Sequence, residues 1–76
     1  LIPEDLKIYF YTQPVDMRKS IDTLCILICD VLKMNPTKRC LFLFRSKSAN
    51  KLKALYYETD IFTLWYRRLE QGRFVF

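Results

Sequence analysis

Histidine is absent from this chain and glycine occurs once. Without an imidazole neither a catalytic triad nor a histidine general base can be assembled, and a single glycine cannot build a phosphate-cradling loop. No serine sits in a G-x-S-x-G elbow. Cysteine is scarce and odd in number: Cys25, Cys29 and Cys40 supply three thiols where a structural zinc takes four ligands. They read as structural thiols, and no metal or cofactor is expected. The carboxylates do not group either, since Asp22 and Asp30 lie about 80° apart and more than two turns from each other on a helix, and Glu58 and Asp60 fall at a hairpin tip. No catalytic residue is assigned, and the chain is not expected to be an enzyme. Long apolar runs are missing too, as is a basic N-terminus leading into one. The expectation is a cytoplasmic protein without a membrane partner.

What is present is enough to fold. The 76 residues are 51% hydrophobic, which excludes a disordered chain and allows one small domain over residues 1–76. Thirteen Lys/Arg against eight Asp/Glu leave a net charge of +5, which favours an acidic partner.

The organising stretch is Asp16 to Asn35. Met17, Ile21, Leu24, Cys25, Ile28 and Leu32 recur at steps of three and four, one stripe of an amphipathic helix. Asp16 is placed to cap it, and Asn35-Pro36 to end it. Ile26 and Leu27 lie well off the stripe; cover by a neighbouring segment and contact with a partner chain both stand as readings. Arg18 and Lys19 sit where the helix dipole disfavours cations, which would be explained if they were kept for an anionic partner.

Before the helix, Pro3, Glu4 and Asp5 read as a frayed lead-in, and Leu6 to Tyr11 alternates as a half-buried strand. After it, Cys40 to Phe44 is apolar on both faces, an interior strand. Ser46 to Asn50 is a polar loop, Lys51 to Glu58 a third strand, and Ile61 to Leu69 suits a helix nearly as well as a strand. The two-residue connection Thr59-Asp60 favours the strand. It predicts a register in which Glu58 faces Ile61 and, counting back, Lys51 faces Arg68, although neither turn residue is glycine and a primed turn is disfavoured. One face of this hairpin would carry Leu52, Ala54, Tyr56, Thr63 and Trp65, and that face is expected to meet the helix. The resulting fold is α+β, one amphipathic helix on a small antiparallel sheet of three to four strands in the order β-α-β-β-β.

The opposite hairpin face would then be open. Arg45, Lys47, Lys51 and Lys53 around one loop, with Tyr66, Arg67, Arg68 and Arg73 returning beside it, mix cations with a ring as a nucleic-acid surface does. An ordinary solvated sheet face accounts for them equally well. With Arg18 and Lys19 they make, Arg67 apart, the candidate nucleic-acid or partner-binding set. Ile26, Leu27, Leu55, Tyr57, Phe62 and Leu64 are the candidates for a protein interface.

Asp16-Met17-Arg18-Lys19-Ser20, Leu43-Phe44-Arg45, Asn50-Lys51-Leu52-Lys53 and Arg67-Arg68-Leu69-Glu70-Gln71-Gly72-Arg73-Phe74 occur in that order. Together they resemble the small TnpB accessory protein of bacterial insertion sequences of the sixty-six family, over nearly all of Leu6 to Phe76. The resemblance implies an accessory role in transposition, beside a separate larger transposase that carries out strand transfer. It implies the cognate transposase as partner; DNA and a second copy of the chain are the partners that the basic residues and the apolar candidates suggest. Relatives continue past this point, so the chain is expected to lack a C-terminal extension. Where they carry a glycine-containing turn and tryptophans, this chain has Tyr56-Tyr57-Glu58-Thr59-Asp60.

Overall fold

A computed structural model describes residues 6–76; the lead-in at Pro3-Glu4-Asp5 lies outside the described residues. Strand β1 (Lys7–Phe10) leads to helix α1 (Ile21–Asp30), followed by β2 (Cys40–Arg45), β3 (Lys51–Glu58) and β4 (Ile61–Arg68). The four strands form one sheet in the order β1-β2-β3-β4. The expected α+β order is found, and the ambiguous last element is a strand.

The sheet is mixed where an antiparallel one was expected. β1 pairs with β2 in parallel, Lys7 opposite Cys40 through Phe10 opposite Leu43, because a helical crossover brings the chain back to the end from which it started. The hairpin register is the expected one at all eight positions, from Glu58 opposite Ile61 to Lys51 opposite Arg68. Thr59 (φ 49°) and Asp60 (φ 64°) are both left-handed, so the turn is of the primed class despite having no glycine. Its backbone twist matches that of the strands, and that match outweighs the local cost of two side chains in the left-handed region.

The helix, at 10 residues, covers only half of the Asp16 to Asn35 stretch. Asp16 accepts the amide of Arg18 on Oδ1 at 2.9 Å, closing a turn of its own, and Lys19 N–H reaches the Asp16 carbonyl at 3.1 Å. Ser20 is then extended and is the true N-cap, its amide bound to Thr23 Oγ1 at 2.8 Å. At the other end the helix stops at Asp30, and Lys33 turns left-handed (φ 55°). The stripe still does what its spacing predicts. Leu24 and Ile28 are fully buried, with Met17, Ile21, Cys25 and Leu32 packed around them.

Which sheet face they cover is the main correction. The helix packs on Phe42 and Phe44 of β2, on Leu55 of β3 and on Phe62 and Leu64 of β4. Register decides this: Phe42 pairs with Leu55 and Phe44 with Lys53, so the two central phenylalanines carry that hairpin face beneath the helix with them. Leu55 is therefore fully buried and is not a surface residue. Leu41, Leu43, Ala54, Tyr56 and Trp65 cluster on the opposite, helix-free side. Tyr56 and Trp65, expected under the helix, instead lie with rings nearly parallel, 6.5 Å apart, on that outer side.

On the helix-free face the side chains fall into rows across the strands. Phe10, Leu43, Ala54 and Trp65 form one row, and Arg45, Leu52 and Arg67 form the next.

Candidate functional site

The topology gathers charge. β1 and β2 both run toward one end of the sheet, β3 starts there and β4 returns there, so four separate segments meet at that end. They bring Arg18, Lys19, Arg45, Lys47, Lys51, Lys53, Arg67, Arg68 and Arg73 together, with Asp16, Asp22 and Glu70 as the acids among them. Backbone hydrogen bonds fasten the segments to one another: Val15 N–H to the Arg45 carbonyl at 2.9 Å, Leu69 N–H to Asn50 at 2.7 Å, and Phe74 N–H to Ala49 at 2.6 Å.

They are not equivalent. Arg18 is held by Asp16, its Nη2 2.6 Å from Oδ2 and its Nε 3.0 Å from the same oxygen. That side-chain hydrogen bond brings the Asp16 carboxyl down to about 2 and raises the Arg18 guanidinium. Arg18 is thus neutralised by its own turn, and since the helix starts at Ile21 it does not sit in the first helical turn at all. The expected conflict between Arg18 and the helix dipole does not arise.

Arg68 pairs with Glu70 at 2.7 Å. Arg45 donates to the Thr12 carbonyl at 2.8 Å, tying β2 to the segment after β1. Lys53 faces inward rather than out: it is buried, its ammonium donates to the Lys19 carbonyl, and it lies 5.0 Å from the centre of the Tyr66 ring. The apolar stem fits under the helix start while the charged head reaches a carbonyl at the edge. Seven of the nine have no carboxylate partner among the described residues; Arg45 and Lys53 are tied to carbonyls, and Lys19, Lys47, Lys51, Arg67 and Arg73 are the five held by neither.

Lys47 sits on the loop between β2 and β3, shaped by its own hydroxyls. Ser46 Oγ accepts the amide of Lys51 at 3.1 Å, Ser48 donates to Asn50 Oδ1 at 2.6 Å, and Ala49 is left-handed (φ 60°). Tyr66 is exposed beside Lys51, Arg67 and Arg68, around one shallow depression. The tail folds back to the sheet without forming a strand, and Phe76 places its ring 5.2 Å from Phe10.

The interface candidates are scattered. Leu27, Phe62 and Leu64 pack against the core under the helix, Tyr57 donates to Asp60 at the hairpin tip at 2.9 Å, and Ile26 alone stands clear at 57% exposure. Arg67, which strand pairing was expected to bring back beside the loop, stands opposite Leu52. Its strand parity, opposite to that of Arg68, was the signal that it faces the other way.

Among the described residues no three His, Cys, Asp or Glu side chains are grouped to hold a metal, and no helix is long and apolar enough to cross a membrane. The class defined by fold and surface is a small α+β domain with one cationic end and a helix-free, largely apolar sheet face.

The chain belongs to the IS66 Orf2 like protein family, whose model matches residues 6–76. This is the insertion-sequence accessory family that the sequence motifs resemble. The chain is 33% identical over 72 residues to Uncharacterized protein y4hO of Sinorhizobium fredii, covering 95% of this chain and 63% of that protein. It is 34% identical over 71 residues to Uncharacterized protein y4jC of the same organism, covering 93% and 61%. It therefore spans somewhat under two thirds of the length of these curated relatives. No solved structure matches it.

Proposed function

We propose that this chain is a non-catalytic accessory factor of insertion-sequence transposition that holds DNA on the cationic end of its sheet, beside the element's transposase. The observation that carries this reading is the convergence of nine cations from four chain segments on one end of a 76-residue domain, seven of them without a carboxylate partner among the described residues and five of those seven not tied to a backbone carbonyl either. Such a grouping raises the local concentration of phosphate and gains from counterion release.

Binding is read by titrating DNA at two salt concentrations. Five phosphate contacts give a slope near −4.5 in log affinity against log salt for duplex, so a fourfold rise in salt weakens binding roughly 500-fold. Affinity that does not change with salt rejects the reading.

A second reading, a protein-interaction module that binds the transposase or itself, is favoured by the exposed Ile8, Phe10 and Ile61. A dimer by light scattering, with no DNA binding at low salt, selects it.

A further inference from the structure

The helix-free face combines two features that the cationic end alone does not. Its aromatic row has Phe10 on the first edge strand and Trp65 on the other, separated by the low floor of Leu43 and Ala54. Three strand spacings put the two backbone positions about 14 Å apart, and the arginine row lies about 7 Å further toward the cationic end. Phe10 is 47% exposed, its ring tilted against that of Phe76 at 5.2 Å, and Trp65 is half-buried, its ring nearly parallel to that of Tyr56. Arg45 and Arg67 close the row at that end, and Arg73 of the tail lines the same hollow as Arg45. The acid that strand alternation places on this face, Glu58, is at the opposite end, by the hairpin tip.

We propose that this face is a stacking platform for single-stranded nucleic acid, with bases against Trp65 and Phe10 and phosphates at Arg45, Arg67 and Arg73. This rests on the reading of the chain as DNA-binding and specifies which form it binds and where. Charge complementarity selects the occupant. A protein partner would bury guanidinium groups beside an apolar patch and need acids to match them, whereas a nucleotide offers a flat ring and an anion at that separation. Duplex DNA keeps its bases stacked on one another and presents nothing to the rings, and the face carries no helix to enter a groove.

Trp65 is the chain's single tryptophan, so its emission reports on the face directly. An oligothymidylate of about ten nucleotides, a length within the usual span of such sites, is titrated into this chain at low salt. The expected result is saturable quenching of Trp65, tighter binding than a duplex of equal length, and a loss of about five- to 150-fold in affinity for Trp65→Leu. Trp65→Phe retains most of the affinity. Far-UV circular dichroism establishes that each variant is folded, and quenching in the unsubstituted chain is independent of that check. Unaltered emission with oligonucleotide bound, or emission that changes with protein concentration alone, overturns the platform. Equal affinity for duplex and single strand with Trp65 unaffected also overturns it but leaves DNA on the cationic end intact. No binding of either form at low salt removes both.

Discussion

Thr59 and Asp60 invite a test in which local strain and global register are separated. Both are left-handed without glycine, and for a β-branched residue such as Thr59 this region is seldom occupied. The left-handed conformation costs an ordinary residue about 1–2 kcal/mol, less for asparagine, whose short polar side chain tolerates it. Thr59→Asn is therefore expected to stabilise the domain by about 1 kcal/mol. For a domain of this size that raises the melting temperature by about 4–8 °C. In urea it appears as a higher midpoint at constant slope. Asp60→Gly should gain less, because it also removes the carboxylate that accepts the Tyr57 hydroxyl at 2.9 Å. That hydrogen bond raises the Tyr57 phenol, so in Asp60→Gly the phenol should titrate at lower pH than in the unsubstituted chain. If Thr59→Asn left stability unchanged or lowered it, with the urea slope constant, the turn would not be of the primed class. The strain reasoning would then fail, whatever the register.

Three further outcomes are expected. Leu55→Ala should cost about 2–5 kcal/mol by urea unfolding, as for a fully buried leucine beneath the helix; a loss under about 1 kcal/mol would place Leu55 on the surface. Asp16 has its carboxyl lowered to about 2 in the folded state, so its contribution to stability is present above the ordinary carboxylate value of 3.8 and is lost as pH falls through about 2. Asp16→Asn should flatten the stability profile across that window, and a carbon-13 titration of the carboxyl should have its midpoint near 2. Alkylation at mildly basic pH should modify exposed Cys29 first and buried Cys40 last, with burial also raising the Cys25 and Cys40 thiols; mass mapping in which Cys40 reacts first would contradict its place in the core.

What the sequence alone determines here is whatever depends on short-range geometry. The three-and-four spacing of Leu24, Cys25 and Ile28 makes a buried helical stripe whatever lies beneath it, and a two-residue connection allows few registers, so Glu58 faces Ile61 as predicted. The membership of each hairpin face follows from the same alternation. Tertiary structure alone decided which of those faces goes inside. Local reasoning placed bulky Trp65 under the helix, but β2 lies between the hairpin and β1, and pairing Phe42 with Leu55 commits Lys53, Leu55 and Leu64 to the side that its phenylalanines occupy. A lysine in that row is tolerated because its head escapes to the Lys19 carbonyl at the margin. The helix start shifted for a related reason: Asp16 satisfies the Arg18 amide and guanidinium together, a pairing that the spacing permits but does not single out. Part of the cationic end is legible along the chain, since the hairpin pairing sets Arg67 and Arg68 beside the Lys51 loop, but nothing local brings the Arg18-Lys19 segment to it. Parallel pairing of β1 and antiparallel pairing of the rest deliver their segments to the same end, because strand direction sets where each loop emerges, and no local preference of a cation does so.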